Sequence, residues 1–200
     1  RAVGVRWRQN GESRSARCRG EVILAAGSIG SVQILKLSGV GPARELAESG
    51  LAAVLDRPGV GENLQDHLQL RLIYKIAGVK TLNAAYRSRV GRARMMFDYA
   101  LFRRGPLTMA PSQLGLFTRS DPARERANIQ FHVQPLSLDK FGDPLHRFPA
   151  ITVSACNLRP TSRGTVRLRS SKLEEAPIIA PNYLATDEDR RVAADAIRTT

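Results

Sequence analysis

The chain has 200 residues, 42% of them hydrophobic, and its 31 lysine and arginine residues against 18 acidic residues give a net charge of +13. This composition is sufficient for a folded core and excludes a disordered chain. No apolar run approaches the ~20 residues that a membrane-spanning helix needs, and the first residues do not resemble a signal peptide, so we expect a cytoplasmic protein. Cys18 and Cys156 are far apart in sequence and predict neither a disulfide framework nor a metal site.

Residues 2–8 and 16–27 predict two strands, with a hairpin turn at Asn10-Gly11 between them. The second run closes without alternation, which is typical of a strand buried on both faces of a parallel sheet. A short helix over 31–38 is expected to follow, with Ser31 as its N-cap. Strand, small-residue turn and helix is the order found where a backbone approaches a cofactor.

A second helix over 42–50 and a short strand over 51–55 are predicted next. Turn residues over 57–63 indicate a loop, and we place a domain boundary just after it. The sequence therefore predicts a first domain at 1–67 and a second at 68–200.

Beyond the boundary, residues 68–76 alternate between apolar and polar, and a helix is predicted over 84–103. The capping-box spacing of Thr186 and Asp189 predicts a last helix. Half-polar strands with modest connections indicate an antiparallel sheet. Three further strands are predicted at 128–133, 151–158 and 165–169.

The basic residues are mostly arginines spread along the chain, and only Arg87, Arg89, Arg92 and Arg94 form a dense run. Such a charge attracts nucleic acid or anionic lipid in some proteins. A solvated helix face explains the run as well, and we favour that interpretation.

Four segments, in this order, resemble motifs of the glucose-methanol-choline (GMC) oxidoreductase family. Residues 27–41 resemble its second signature, apart from Val32 in place of the usual Pro or Ser, and residues 58–67 resemble its Gly-Val-Gly-x-Asn-Leu-x-Asp-His element. Residues 162–168 and 177–184 resemble its C-terminal region. Four ordered motifs are much more specific than one glycine-rich match.

The resemblance implies an α+β fragment of an FAD enzyme. Its expected parts are the C-terminal edge of a Rossmann-like FAD-binding domain and an antiparallel-sheet substrate domain covered by helices, with the family's C-terminal region starting at about residue 158. The chain begins at Arg1 inside a strand-like stretch and ends at Thr200 without a helix stop signal, so we expect an internal fragment.

The resemblance also implies that the dinucleotide fingerprint precedes Arg1 and that the catalytic histidine follows Thr200. In this family a histidine deprotonates the alcohol while a hydride passes to the flavin. The three histidines of this chain form no metal-site spacing and none lies in the catalytic motif, so we assign no catalytic residue and expect this chain alone to be inactive.

Ala26, Gly27, Ser28 and Ser31 are the first candidates for cofactor binding, because small residues let backbone amides approach a dinucleotide. The alternative is close packing of helix and strand without a ligand. For Ser31 the alternative is a simple helix cap.

Asn63 and His67 are further cofactor candidates, at the junction of the two predicted domains. The alternative, which we favour, is a polar loop in which the side chains of Asn63 and Asp66 satisfy backbone amides. His132 and Gln134 share one face of a predicted strand and are the candidates for substrate binding, although a solvent-facing strand would give the same pattern.

The predicted function is FAD-dependent oxidation of CH-OH groups, closest to the choline and alcohol dehydrogenase branch. The expected partners are a small alcohol and an electron acceptor, which is a quinone, another carrier or oxygen; no nucleic acid and no transmembrane segment are expected. A basic nucleic-acid-binding module and an inactive flavoprotein-like domain remain the alternatives.

Overall fold

A computed structural model describes residues 2–110, 112–140 and 142–200. The chain divides into two compact units. The first unit runs to Leu64 and also includes Gly164–Ala180, and the second consists of Gln65–Arg163 and Pro181–Thr200. Among the described residues, no helix combines the length and apolar character that crossing a membrane requires.

The first unit opens with a hairpin of β1 (Gly4–Gln9) and β2 (Glu12–Arg17). Asn10 and Gly11 connect the strands with φ angles of 52° and 82°. Positive φ at both central residues matches the right-handed twist of a two-residue hairpin. The predicted hairpin is therefore confirmed.

The predicted buried strand at 16–27 is wrong beyond Arg17, where β2 ends. Residues 18–26 have no regular structure, and the side chain of Ile23 is 80% exposed. A strand buried on both faces needs hydrogen-bonded neighbours, and no described strand pairs with this segment.

Helix α1 (Gly27–Leu37) then begins four residues before the predicted N-cap, and α2 (Ala43–Glu48) follows it. Two short strands, β3 (Val40–Gly41) and β4 (Leu55–Asp56), pair in parallel on either side of α2. The Leu46 side chain of α2 is fully buried, whereas the neighbouring Ala47 is exposed.

A distant segment completes the first unit through β9 (Thr165–Arg167) and β10 (Ile178–Ala180), which pair antiparallel. The Val166 amide donates to the carbonyl oxygen of Gly61 at 2.7 Å, and Leu64 and Gly164 exchange two backbone hydrogen bonds. The sequence analysis assigned this segment to the second domain. Pairing over so long a separation leaves no local pattern, which is the reason for the difference.

The second unit is built on a four-stranded antiparallel sheet of β5 (Gln69–Lys75), β6 (Leu114–Thr118), β7 (Ile129–Gln134) and β8 (Ala150–Asn157). The order of the strands across the sheet is β5-β8-β7-β6. The sheet confirms the predicted antiparallel architecture, and the alternation in β5 matches the predicted strand. The sequence analysis missed β6.

Helix α5 (Asp187–Thr199) covers one face of this sheet. Its residues Val192 and Ala196 form a buried cluster with Ile129, Phe131 and Ala155. The Thr186 hydroxyl accepts a hydrogen bond from the Asp189 amide, so the predicted cap is confirmed.

The predicted single helix over 84–103 is two helices, α3 (Leu82–Arg87) and α4 (Arg89–Phe102). Ser88 separates them because its backbone is extended, with ψ at 128°, and its hydroxyl caps α4 by accepting from the Gly91 amide. None of the residues of α4 is buried.

Candidate functional site

The first candidate site is the start of α1. Gly27 has a φ of 74°, which favours glycine, and the position of a Cβ atom there is surrounded by open space. Ala26, Gly27 and Ser28 are exposed. Ser31 is not the N-cap as predicted, because the helix already begins at Gly27; its hydroxyl accepts a hydrogen bond from the Ala26 amide at 3.2 Å instead.

The electrostatics at this helix start suit an anion. No side chain caps α1, and its first turn contains no acidic residue. The first amides of a helix lack partners within the helix and carry the positive end of its dipole. An exposed, uncapped helix start beside a glycine therefore fits a phosphate group of a dinucleotide such as FAD.

Asn63 lies in a tight loop of the first unit, with its side chain exposed and a φ of 61°. The backbone of Val166 packs closely against this loop, since a Cβ atom on Gly61 would lie 2.3 Å from the carbonyl oxygen of Val166. No hydrogen bond of the Asn63 side chain is found among the described residues. Its backbone is thus held in place while its amide is available to a ligand.

His67 belongs to the second unit and is also exposed, with Nε2 3.3 Å from the carbonyl oxygen of Leu158. The neighbouring Asp66 accepts a hydrogen bond from the Tyr183 hydroxyl, and this bond raises the pKa of Tyr183. The favoured alternative for the loop expected Asp66 to satisfy a backbone amide, whereas its hydrogen-bond partner is a side chain.

The second candidate site is the face of the sheet opposite α5. His132 and Gln134 both lie on it, because the alternate residues of β7 form the α5-facing cluster. Register places Ser154 of β8 between His132 and Arg71 of β5, and Thr152 beside Gln134. Directly paired residues point to the same side of a sheet, so these polar side chains share one face.

Small residues line the middle of this polar face. Thr152, Ser154 and Cys156 of β8 are buried, and longer side chains flank them on β5 and β7. Gln134 is only 6% exposed, and its amide nitrogen donates to the Ser112 hydroxyl at 3.3 Å. His132 remains half-buried.

The chemistry of the polar face is that of binding by hydrogen bonds. Burial raises the pKa of the Cys156 thiol, which therefore stays protonated and is a poor nucleophile. Across its four strands as the structure describes them, the face carries Arg71 and Lys75 but no carboxylate. Among the described residues no cluster of side chains is suited to hold a metal ion.

The sequence analysis missed Arg71 as a neighbour of His132. Alternation along β5 places Arg71 on the polar side of its own strand. The register that pairs β5 with β8, and β8 with β7, depends on contacts between distant segments. Sequence alone therefore gave the face of each strand but not the row of residues across the sheet.

Comparison with known proteins defines the class. The sequence model for the N-terminal part of the GMC oxidoreductases matches residues 1–69, and the model for their C-terminal part matches residues 160–200. The chain therefore belongs to the GMC oxidoreductase family.

Individual relatives agree with this assignment. An alcohol dehydrogenase [acceptor] from Pseudomonas putida is 39% identical over 195 residues, covering 94% of this chain and 35% of the relative. The mitochondrial choline dehydrogenase of Homo sapiens is 36% identical over 189 residues, covering 94% and 32%. The chain thus spans about a third of the length of the curated relatives it matches.

Solved structures share the fold. A formate oxidase from Aspergillus oryzae has a TM-score of 0.87 at 23% identity, covering 98% of this chain and 39% of that one. Pyridoxine 4-oxidase from Mesorbium loti has a TM-score of 0.77 at 24% identity, covering 98% and 34%. The predicted fold class is confirmed, as are the predicted family and its cofactor, FAD.

Proposed function

We propose that the protein to which this chain belongs is an FAD-dependent dehydrogenase that oxidises an uncharged alcohol. The observation that carries the proposal is the match of both ends of the chain to the GMC family, together with the alignment to an alcohol dehydrogenase over 94% of the chain. FAD, when bound, accepts the hydride from the alcohol carbon.

In this proposal the start of α1 binds the cofactor. The backbone around Ala26 and Gly27 receives a phosphate group, and the hydroxyl of the exposed Ser28 donates a further hydrogen bond. Asn63 and His67 are proposed to contribute further polar contacts from residues 58–67, the segment that resembles the family's Gly-Val-Gly-x-Asn-Leu-x-Asp-His element. These roles bind and orient the cofactor without any proton transfer.

The polar face of the sheet binds the substrate in the same proposal. His132 and Gln134 offer hydrogen bonds to the alcohol, and the bond from Gln134 to Ser112 limits its rotation. A quaternary ammonium substrate is disfavoured because the face carries Arg71 and Lys75 and no carboxylate across its described strands. The proposal thus favours uncharged alcohols over choline. It also includes an electron carrier as the acceptor, in line with the name of the alcohol dehydrogenase [acceptor] relative, and a location in the cytoplasm.

The test is a purified protein expressed from its complete reading frame. It should carry visible flavin absorbance and reduce an artificial electron acceptor with a primary alcohol, with much lower kcat/KM for choline. Failure to bind added FAD would overturn the whole proposal. Equal or better activity with choline would overturn the substrate preference alone.

Two variants test the polar face. His132→Ala and Gln134→Ala should each lower kcat/KM for the alcohol by about tenfold or more while flavin content is unchanged. Arg126→Ala is the matched control, since this exposed arginine lies in the loop before β7 and contacts only Glu125 among the ion pairs of the described residues. Unchanged kinetics in both test variants would contradict the assignment.

A further inference from the structure

Arg167 of β9 holds two carboxylates of the first unit. Its Nη1 atom donates to the Glu45 carboxylate of α2 at 2.7 Å, and its Nη2 atom donates to the carboxylate of Glu62. Glu45 is largely buried and also pairs with the fully buried Lys36 of α1. Arg167 therefore connects the interior of the unit to the residue that directly precedes Asn63.

The turn that carries Asn63 is attached to the backbone of the C-terminal segment on both sides of this residue. Before it, the carbonyl oxygen of Gly61 accepts a hydrogen bond from the Val166 amide at 2.7 Å. After it, Leu64 and Gly164 exchange two backbone hydrogen bonds of 2.9 and 2.8 Å. With both ends of the turn anchored, the orientation of the residues between them depends on their own side-chain contacts.

The same ionic network reaches the other candidate segment for the cofactor. Lys36 lies in the last turn of α1, the helix whose exposed start begins at Gly27. Hydrogen bonds within a helix make it a stiff element. A chain of ion pairs from Lys36 through Glu45 and Arg167 therefore sets the spacing between the start of α1 and the turn that carries Asn63.

We propose that Arg167 is a positioning residue for the cofactor, which holds Asn63 in place relative to α1. This inference rests on the proposed function, in which the start of α1 and Asn63 both contact FAD. A ligand that spans two contacts binds more tightly when their spacing is set beforehand, because less freedom is lost on binding. A lysine cannot replace this arginine, since one ammonium group lacks the separate nitrogens of a guanidinium.

A purely structural role of the network makes a different prediction. It would lower FAD affinity to the same extent whether or not residue 63 has a side chain. A positioning role acts through the Asn63 side chain, so its effect disappears when that side chain is removed. A double-mutant cycle separates the two roles.

The test is titration of the FAD-free whole protein with FAD, followed by fluorescence, with thermal unfolding measured in parallel. Arg167→Lys should weaken FAD binding by about fivefold or more. Asn63→Gly should do the same, because it removes the side-chain contact while glycine accepts the φ of 61° at this position. Added to Asn63→Gly, Arg167→Lys should weaken binding by less than about twofold further.

Two further variants complete the experiment. Arg169→Lys is the matched control: this exposed arginine donates to the carbonyl oxygen of Ala176, and its replacement should leave FAD affinity unchanged. Glu62→Ala removes the link to the turn at a side chain that is 39% exposed, and it leaves the pair of Lys36 and Glu45 intact. It should weaken FAD binding by a similar factor to Arg167→Lys even if the latter lowers stability.

Full additivity of Arg167→Lys and Asn63→Gly, or unchanged affinity in both Arg167→Lys and Glu62→Ala, would overturn the positioning role and leave the proposed function in place. Asn63→Gly with the affinity of wild type would remove Asn63 from the cofactor site and the positioning role with it. A wild-type protein that binds no FAD would overturn the proposed function and this inference together.

Discussion

Lys36 shows how a charged residue is stabilised in the interior of the first unit. It is completely buried, and its Nζ atom lies 2.6 and 2.8 Å from the two Glu45 carboxylate oxygens and 2.7 Å from the carbonyl oxygen of Val166. Glu45 also accepts hydrogen bonds from Arg167 and from the Leu168 amide. One ionic cluster thereby joins α1, α2 and β9.

Replacing Lys36 tests this cluster. Lys36→Met should lower the free energy of unfolding by about 3–5 kcal/mol, because it leaves the largely buried Glu45 with one cation fewer and Val166 without its donor. Urea denaturation of the variant measures the loss. Arg44→Met, on the exposed side of α2, should change stability by no more than about 0.5 kcal/mol, and an equally small effect at Lys36 would refute the interpretation.

The same cluster predicts a dependence of stability on pH. Burial alone would raise the pKa of Glu45, but hydrogen bonds from Lys36, Arg167 and Leu168 outweigh it, and the pKa is lowered from its ordinary 4.5. The unfolded state then binds more protons than the folded state, so this stabilisation is complete above pH 4.5 and is lost as the pH falls through the lower pKa of the folded state.

Glu45→Gln should therefore be less stable than wild type at neutral pH and lose less stability on acidification. Denaturant titrations at a series of pH values below neutrality measure both effects. Parallel curves for the two proteins would show that Glu45 does not contribute to the acid sensitivity.

Among the elements, α5 is attached to the sheet by the carboxylate of Asp189. This side chain accepts hydrogen bonds from the Thr161 and Ser162 amides at 2.9 and 2.8 Å and from the Asn157 amide nitrogen at 3.2 Å. It thus fixes the chain where it leaves β8. The Thr186 and Asp189 pattern predicted the helix start but not these additional partners.

Asp189→Ala should lower the free energy of unfolding by about 2–4 kcal/mol, since it leaves two backbone amides near Asp189 without their acceptor. Thermal or urea unfolding measures the effect. Asp195→Ala on the same helix removes only an ion pair with Arg198 and should cost about 0.5 kcal/mol or less. Comparable losses in the two variants would contradict the role of Asp189.

Hydrophobic periodicity in the sequence predicted those strands whose two sides lie in different surroundings. Alternation identified β5, β7 and β8 because one side of each strand meets a helix or loop and the other is polar. It missed β6, whose Leu114, Leu116 and Phe117 are exposed at the sheet edge and show no polar alternation. It also joined α3 to α4, since a single extended residue, Ser88, leaves the helical pattern intact.

The candidate sites, like the strands and helices, were predicted only in part. Sequence placed His132 and Gln134 on one face, and the structure adds Arg71 and Ser154 through register. The sequence analysis recognised the small residues at the start of α1. The strand that it predicted before them does not form beyond Arg17. Hydrogen bonds to neighbouring strands decide whether such an apolar run becomes a strand. Local chemistry is readable from sequence, and pairing between distant segments is not.

For the whole molecule, cofactor binding provides a test of the α1 site. Ser28→Asp in the whole protein should weaken FAD binding by about tenfold or more, because a carboxylate would repel an anionic phosphate. It should not lower the stability of the FAD-free protein, since an acidic residue is favourable in the first turn of a helix.

Ser28→Asn is the matched control, because it has a similar size without the charge. Fluorescence titration with FAD measures the affinity, and thermal unfolding measures the stability. Equal affinity for wild type and Ser28→Asp would remove the start of α1 from the cofactor site.

The discontinuous first unit also has a consequence for synthesis. Its final strands follow Arg163, so on the ribosome residues up to Leu64 emerge long before β9 supplies the acceptor for Lys36. The intervening Gln65–Arg163 must be translated in between. A nascent chain halted before Gly164 would leave this ammonium group short of a partner, and the N-terminal residues would be a natural target for chaperones until translation passes that point.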